Sequence, residues 1–198
     1  MRVRIVIAAA AVAVLAAAGL AVWARGADHG PVRFAGEAIP AGTPAQDFAL
    51  RDQNGTRIRL SAQRGHVVLL AFLYTQCTDI CPLIAKQLDS AVRSLGPQAS
   101  SVRVLAVSVD PAGDTPANVR RYVRRLRLGP EFHYLVGTKA ELAPIWQGYN
   151  VAVEYRPSGK VVHAGPVFLL DRTGRPRLFY APLQPPGAFA HDLRVLLG

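Results

Sequence analysis

A chain of 198 residues has room for one domain of ordinary size beside an N-terminal segment. Its formal net charge of +10 comes mostly from arginine and raises the question of nucleic-acid binding. The arginines are scattered, however, and no zinc-finger, helix-turn-helix or RNP-like motif surrounds them, which argues against a nucleic-acid partner. A basic surface of this kind can instead favour anionic lipid heads or an acidic protein.

Residues 1–25 predict a transmembrane anchor or an export signal. Arg2 and Arg4 precede an uncharged stretch, residues 5–24, that is about as long as a membrane-spanning helix requires. The positive-inside rule keeps these arginines in the cytoplasm, so the rest of the chain is expected in the periplasm or at the outer face of the membrane. The alternative is a signal peptide cleaved near Ala24, which leads to the same extracytoplasmic, oxidising compartment.

Residues 26–44 mix Gly, Pro and Ala with single charges and show no periodicity, so they predict a flexible tether. The folded domain is expected over residues 45–198. It begins with a hairpin over residues 47–60, because the dipeptide Asn54-Gly55 is a strong hairpin signal. The continuous apolar run of residues 67–74 then predicts a buried strand.

The only two cysteines follow this strand, where residues 74–82 read YTQCTDICP. Residues 82–95 have helical periodicity, and Pro82 suits a first helical turn. Cys77 is therefore expected in the loop that leaves the strand, and Cys81 at the start of the helix. There the helix dipole and its unpaired N–H groups stabilise thiolates, so both thiols are predicted to have lowered pKa values.

The spacing of the two cysteines favours metal binding over disulfide formation. Cβ atoms four residues apart on a regular helix lie about 5–6 Å apart, whereas a disulfide requires about 3.8 Å. A metal ion can bridge the wider gap with little strain, and two sulfurs suit a soft ion such as Cu(I), with an imidazole as third ligand. A plain structural disulfide is the alternative, although so small a loop removes little entropy from the unfolded chain.

The remaining sequence alternates strands and helices. Asp114 or Thr115 can cap one helix, and Thr138 and Glu141 form a capping box for the next. Strands are predicted at residues 102–109 and 132–136, hairpins at residues 151–163 and 167–180, and helices beginning at residues 116, 138 and 186. This order predicts an α/β, thioredoxin-like fold with a central mixed sheet and flanking helices, preceded by the N-terminal hairpin and the membrane segment.

The helix that begins at residue 116 has an apolar face and a basic face. The basic face carries Arg120, Arg121, Arg124, Arg125 and Arg127. We interpret it as a solvated surface, and the alternative is a docking patch for an acidic partner or a lipid surface.

Three separated motifs resemble those of the Sco/SenC family, thioredoxin-fold proteins that help assemble the copper centre of cytochrome c oxidase. Residues 74–82 resemble the copper-site motif of the family. Residues 107–116, which read VSVDPAGDTP, resemble its strand-end aspartate motif, and residues 162–174 resemble its histidine-bearing hairpin. The motifs occur in the order of the family, and the resemblance covers roughly residue 45 to the C-terminus.

The resemblance implies that Cys77, Cys81 and His163 bind one copper ion per chain. His163 stands at a hairpin end beside Gly165, in a loop able to move onto a metal. Of the other histidines, His133 lies within a predicted strand and is interpreted as structural. The only methionine is the first residue, so the domain has no thioether ligand.

Three carboxylates are further candidates. Asp79 lies inside the cysteine loop, where it can complete the copper coordination or, as we favour, interact with the helix start as a cap. Asp110 and Asp114 resemble an acidic pair near the site of the family. They are interpreted either as turn and capping residues or as residues that support the ligands or dock a partner.

Together these features predict a copper chaperone rather than an enzyme. It would pass copper by ligand exchange to an apo copper protein, with the copper subunit of cytochrome c oxidase as the main candidate. Another copper chaperone or a thioredoxin-like reductase is a further candidate partner. A disulfide between Cys77 and Cys81 would block loading.

Two enzyme classes are the alternatives. A thiol–disulfide oxidoreductase would reduce target cysteines before metallation and would need no histidine. A peroxidase, with Cys77 attacking and Cys81 resolving, is disfavoured because the flanking sequence identifies no arginine and hydroxyl to activate peroxide.

Overall fold

The computed structural model describes residues 33–156 and 161–198, of which Phe34–Gly198 belong to one unit. The expected anchor or signal, residues 1–25, and residues 26–32 of the expected tether lie outside the described residues. None of the helices in the described ranges has the length and apolar character needed to cross a bilayer.

Strands and helices alternate along the described residues much as the sequence predicts. In chain order the strands are β1 (Glu37–Ala38), β2 (Ala49–Arg51), β3 (Arg57–Arg59), β4 (Val67–Leu73), β5 (Val102–Ser108), β6 (Phe132–Leu135), β7 (Ala152–Tyr155), β8 (Val161–Ala164), β9 (Val167–Leu170) and β10 (Pro176–Tyr180). The α-helices are α1 (Ile80–Arg93), α2 (Pro116–Leu126), α3 (Lys139–Gly148) and α4 (Ala188–Leu197), and short 3-10 helices lie at Leu60–Gln63 and Gly96–Ser101.

The central sheet has the strand order β1-β10-β9-β4-β5-β6. β4, β5 and β6 are parallel, whereas β9, β10 and β1 each run antiparallel to their neighbours. All seven residues of β4 are buried, so both of its faces are covered, and a strand in that position needs a continuous apolar run. The predicted α/β class with a mixed central sheet is confirmed, and β2-β3 forms the predicted N-terminal hairpin.

The parallel strands bring the cysteine loop and the aspartate loop to one edge of the sheet. Leu73, the last residue of β4, pairs with Ser108, the last residue of β5. The chain segments that follow, residues 74–79 and 109–115, therefore leave the sheet side by side. The candidate residues of the cysteine motif and of the aspartate motif therefore all lie at this edge of the sheet.

Residues that favour the start of a helix lie at the beginnings of α1, α2 and α3. α1 begins at Ile80, two residues before the predicted start, and Pro82 lies in its first turn, where a missing N–H costs no hydrogen bond. Thr115 caps α2 through its side chain, so Thr115 and not Asp114 is the capping residue. The capping box predicted for α3 is present.

Part of the expected tether is folded onto the sheet. Glu37–Ala38 forms β1 and pairs with β10. Just before it, the N–H groups of Ala35 and Gly36 donate to the buried carboxylate of Asp192 in α4, which also accepts the hydroxyl of Tyr180. The prediction of a flexible tether over residues 26–44 is therefore wrong for residues 35–38, because contacts with distant residues order a stretch that has no periodicity of its own.

Candidate metal centre

The two cysteines lie at the corner between β4 and α1. Cys77 is in the loop after β4, and Cys81 is the second residue of α1, which is the placement that the sequence predicts. Both side chains are buried, and both thiols are free. The N–H of Cys81 points at the sulfur of Cys77, with 3.4 Å between N and Sγ. The first sulfur therefore takes the place of a capping acceptor at the start of α1.

Asp79 does not cap α1, contrary to our expectation. It occupies the N-cap position, but its φ of −112° and ψ of −92° differ from the extended geometry of a capping residue, and its side chain makes no capping hydrogen bond. An N–H of the first turn is instead directed at the sulfur of Cys77. Asp79 is left exposed at the surface.

The two thiols differ in acidity. Burial raises the pKa of Cys77, but the N–H groups of Cys81, Asp79 and Ile80 favour the thiolate, and the resulting pKa lies below its ordinary value. At Cys81 burial prevails and raises the pKa far above its ordinary value. The prediction of two lowered thiol pKa values is thus confirmed for Cys77 and wrong for Cys81, because the N–H groups at the start of the helix favour the first sulfur.

His163 reaches the second thiol from a distant part of the sequence. It lies in β8, which pairs with β7 in a separate hairpin, and its Nε2 is 3.8 Å from the Sγ of Cys81. The ring of Tyr74 packs edge-on against the imidazole, with ring centroids 5.7 Å apart. Burial lowers the pKa of His163, which favours the neutral imidazole, the form that binds metals.

The hydrogen bonds of the histidines separate structural from candidate roles. The Nδ1 of His163 is buried and has no hydrogen-bond partner among the described residues. By contrast, the Nδ1 of His133 lies 3.1 Å from a carboxylate oxygen of Asp52. Buried polar groups with a structural role are normally paired, so this pairing agrees with a structural His133. The Nδ1 of His66 is buried without a partner in the described part of the chain as well, and it is the contact with the sulfur of Cys81 that distinguishes His163.

The contact between Cys81 and His163 has the length expected for two ligands of one ion. With bonds of about 2.3 Å to sulfur and about 2.0 Å to nitrogen, as at zinc, a trigonal ion holds its sulfur and nitrogen ligands about 3.7 Å apart. The observed Sγ–Nε2 distance is 3.8 Å. Within residues 33–156 and 161–198, no group of three or more His, Cys, Asp or Glu side chains forms a complete metal cage. The three expected ligands are nevertheless linked, through Cys81, by two contacts.

Asp114 joins the cysteine loop to the sheet. One of its carboxylate oxygens accepts the N–H and the hydroxyl of Thr75, at 2.8 and 2.7 Å, two residues before Cys77. The other accepts the hydroxyls of Ser108, at 2.6 Å, and Tyr134, at 3.0 Å. Burial of this carboxylate raises its pKa, although all four donors favour the charged form. Of its two predicted roles, capping is therefore wrong, and support of the cysteine loop is what the contacts provide.

Asp110 has the predicted turn role. It is buried, and it accepts the N–H of Gly113 at 3.0 Å. Gly113 has no room for a side chain, because a Cβ there would collide with the Asp110 carboxylate and with the amide of Gln76, the residue before Cys77. The turn after β5 and the cysteine loop are thus in direct contact.

Four further residues shape the site although they are not among the candidates that the sequence predicts: Tyr74, Thr75, Ser108 and Tyr134. Burial and the neighbouring thiols raise the pKa of Tyr74 to about 12. The position of Tyr74 and Thr75 inside the cysteine motif is a sequence signal for their place in the site. Tyr134 meets Asp114 only because β6 pairs with β5 in this register, which local sequence does not reveal.

Fold and site together define an α/β protein of thioredoxin-like type, with a dithiol and a histidine meeting at one edge of its central sheet. The chain belongs to the SCO1/SenC family, whose model matches residues 37–198. The family expected from the three motifs is therefore confirmed. The match begins at β1, in agreement with the folded start of the domain.

Relatives and solved structures support this membership. The mitochondrial protein SCO2 homolog of Bos taurus is 33% identical over 183 residues, which cover 88% of this chain and 67% of that protein. A SCO2-like protein of Rickettsia typhi is 26% identical over 135 residues, and the chain spans only 65% of its length. Bradyrhizobium japonicum ScoI with copper bound has 30% identity and a TM-score of 0.69, covering 77% of this chain and 98% of that one. Apo Sco1 of Thermus thermophilus has 34% identity and a TM-score of 0.67, covering 83% and 94%.

Proposed function

We propose that this protein is a copper chaperone that binds one Cu(I) ion through Cys77, Cys81 and His163. The observation that carries the proposal is the 3.8 Å distance between the Sγ of Cys81 and the Nε2 of His163, which is close to the spacing of two ligands around one ion. The related ScoI of Bradyrhizobium japonicum, 30% identical, was solved with copper bound, which supports copper as the ion.

The donor set suits Cu(I) chemically. Two sulfurs and one neutral imidazole are soft or borderline ligands, and no thioether is available in the domain. The pKa of Cys77 lies below its ordinary value, so its thiolate forms more easily than that of Cys81, whose pKa is raised by burial and which must release its proton as copper binds. Two thiolates and one Cu(I) ion leave a single net negative charge at the site.

Delivery would proceed by ligand exchange with an apo copper protein. Each Cu–S bond to this chain would be replaced by a bond to a thiolate or imidazole of the recipient, and copper would remain Cu(I), so no electron is transferred. Protons displaced from the ligands of the recipient balance those taken up by Cys77 and Cys81. We propose the copper subunit of cytochrome c oxidase, or a similar extracytoplasmic copper protein, as recipient. The N-terminal segment would anchor or export the domain to that compartment.

Removing the imidazole tests the proposed ligand set. We expect His163→Ala to lower the Cu(I) affinity of the reduced chain by at least about 100-fold, or about 2.7 kcal/mol. The measurement is competition with a chromophoric Cu(I) chelator under anaerobic conditions. His66→Ala is the matched control, because the Nδ1 of His66 is also buried without a partner among the described residues. Equal affinity of His163→Ala and wild type would contradict the proposed site.

The dithiol is also proposed to gate copper loading. Exchange with an external disulfide would oxidise Cys77 and Cys81 to a disulfide, transfer two electrons and two protons to the external pair as two thiols, and leave no thiolate for the metal. We therefore expect the oxidised chain to take up no copper in the same chelator competition, and treatment with a reductant to restore one ion per chain. Copper binding of equal strength by the oxidised and reduced chains would rule out the gate.

A thiol–disulfide oxidoreductase is the second candidate, because the two thiols have the acidities that this chemistry uses. Cys77, with a lowered pKa, would attack a target disulfide, and the buried Cys81 would then resolve the mixed disulfide. This reaction needs no imidazole ligand. His163→Ala should therefore spare reductase turnover while it weakens copper binding, and a reductase assay on that variant distinguishes the two functions.

A further inference from the structure

The basic face of α2 is an uncompensated cluster of positive charge. Four arginines of the helix, Arg120, Arg121, Arg124 and Arg125, and the C-cap residue Arg127 are all exposed, and α2 itself has no acidic residue. Within the described residues none of the five forms an ion pair with a carboxylate. Arginines four residues apart on one helix repel each other. No carboxylate among the described residues offsets this repulsion by pairing with one of the five, so an external anionic group would stabilise the face.

Part of this face borders the candidate metal centre. Arg121 and Arg125 line a cleft of about 210 Å³ together with Thr75 and Gln76, the two residues before Cys77. Asn118 and Tyr122 complete the lining. The cysteine loop has one exposed carboxylate, that of Asp79, and it forms no ion pair with the arginines in the described part of the chain. The positive charge thus lies beside the loop that carries the first sulfur.

Each of the two arginines has a contact within α2 that favours one orientation of its side chain. The guanidinium of Arg125 lies over the ring of Tyr122, 5.6 Å from its centroid, and the Nη1 of Arg121 is 3.4 Å from the amide oxygen of Asn118. Tyr122 is buried and packs against Tyr134, which is hydrogen-bonded to Asp114. A guanidinium whose orientation is favoured in this way loses less conformational freedom when it pairs with a carboxylate, to which it can make two parallel hydrogen bonds.

We propose that Arg121 and Arg125 dock an acidic surface of the protein that receives the metal. The inference rests on the proposed copper chaperone function, because it assigns the partner of that same site. An acidic protein fits better than a lipid surface, since the two arginines line a cleft whose size suits one or two carboxylate side chains rather than a plane of headgroups. Docking here would bring the recipient up to the cysteine loop, and attraction between opposite charges would accelerate the encounter.

The test is the rate of Cu(I) transfer from the 198-residue chain, in a non-ionic detergent, to the apo copper domain of a cytochrome c oxidase subunit. For the wild type we expect the second-order rate constant to fall steeply between low and moderate salt. Arg121→Glu with Arg125→Glu should lower the low-salt rate at least about tenfold and remove most of the salt dependence. The neutral pair Arg121→Gln with Arg125→Gln should give an intermediate rate.

The matched control reverses two charges at the other end of the sheet. Arg172 and Arg175 are exposed in the turn between β9 and β10, and Leu170, just before that turn, pairs with Val68 near the start of β4. Arg172→Glu with Arg175→Glu changes the net charge equally, and we expect its transfer rate to stay within about twofold of wild type at low salt. Equal slowing by both pairs would mean that net charge alone matters and would overturn the proposal.

Other outcomes separate this proposal from the function on which it rests. If wild type binds no Cu(I), both fail together. If copper affinity is normal in every variant but Arg121→Glu with Arg125→Glu transfers as fast as wild type, the docking proposal alone fails. The docking proposal alone also fails if Arg121→Glu with Arg125→Glu transfers copper at the wild-type rate and loses only its binding to vesicles of phosphatidylcholine with phosphatidylglycerol. The basic face would then bind a lipid surface.

Discussion

Cys81→Ser is expected to abolish stoichiometric Cu(I) binding, with a loss of affinity of at least about 1,000-fold, or about 4 kcal/mol. Cys81 is the residue that links the other two proposed ligands, since its N–H points at the sulfur of Cys77 and its sulfur is 3.8 Å from the Nε2 of His163. A serine hydroxyl is a hard donor that stays protonated near neutral pH, so it cannot replace a thiolate toward a soft ion.

The measurement is again anaerobic competition with a chromophoric Cu(I) chelator, with the stoichiometry taken from the titration end point. Because Cys81 is fully buried, a serine there also buries a hydroxyl. Cys81→Ala removes the sulfur without that cost and should lose copper equally, which separates loss of a ligand from loss of the fold. Thr78→Ser, in the exposed part of the same loop, should bind like wild type. Retention of one tightly bound copper by Cys81→Ala would contradict the proposed site.

The parts of the fold that the sequence predicts well are those with a strong local signal. The apolar run that forms β4 and the Asn-Gly turn of the first hairpin determine local structure almost alone. The corner that carries Cys77 and Cys81 follows from the same run and from the periodicity of α1. By contrast, Glu37–Ala38 forms a strand only because it pairs with β10 at the edge of the sheet. A segment of two residues has no periodicity from which this pairing could be predicted.

Only part of the chemistry of the site can be predicted from the sequence. The lowered pKa of Cys77 could be predicted, because it comes from N–H groups at the nearby helix start. The raised pKa of Cys81 depends on the depth of burial, which the whole fold sets. Only the family resemblance distinguishes His163 from the other four histidines of the sequence, since no spacing rule connects it with a thiol 82 positions earlier.

Asp114→Ala is expected to lower the free energy of unfolding by about 3–5 kcal/mol and to weaken Cu(I) binding as well. The carboxylate is the shared acceptor for the N–H and hydroxyl of Thr75 and for the hydroxyls of Ser108 and Tyr134. Its removal leaves four donors in a buried site, and an unpaired buried donor costs about 1–3 kcal/mol, although the hydroxyls can turn to share other acceptors. Copper binding should weaken because the cysteine loop loses its attachment to β5 and β6.

Urea unfolding of the reduced, metal-free chain and chelator competition measure the two effects separately. Asp171→Ala is the matched control, because Asp171 also accepts four hydrogen bonds, from Thr173, Arg175 and Arg177, but in the partly exposed turn after β9 at the other end of the sheet. It should cost less stability, since water can reach the freed donors, and it should leave the copper affinity unchanged. If Asp114→Ala and Asp171→Ala weakened copper binding equally, the loss would reflect general destabilisation, and Asp114 would have no particular part in holding the cysteine loop.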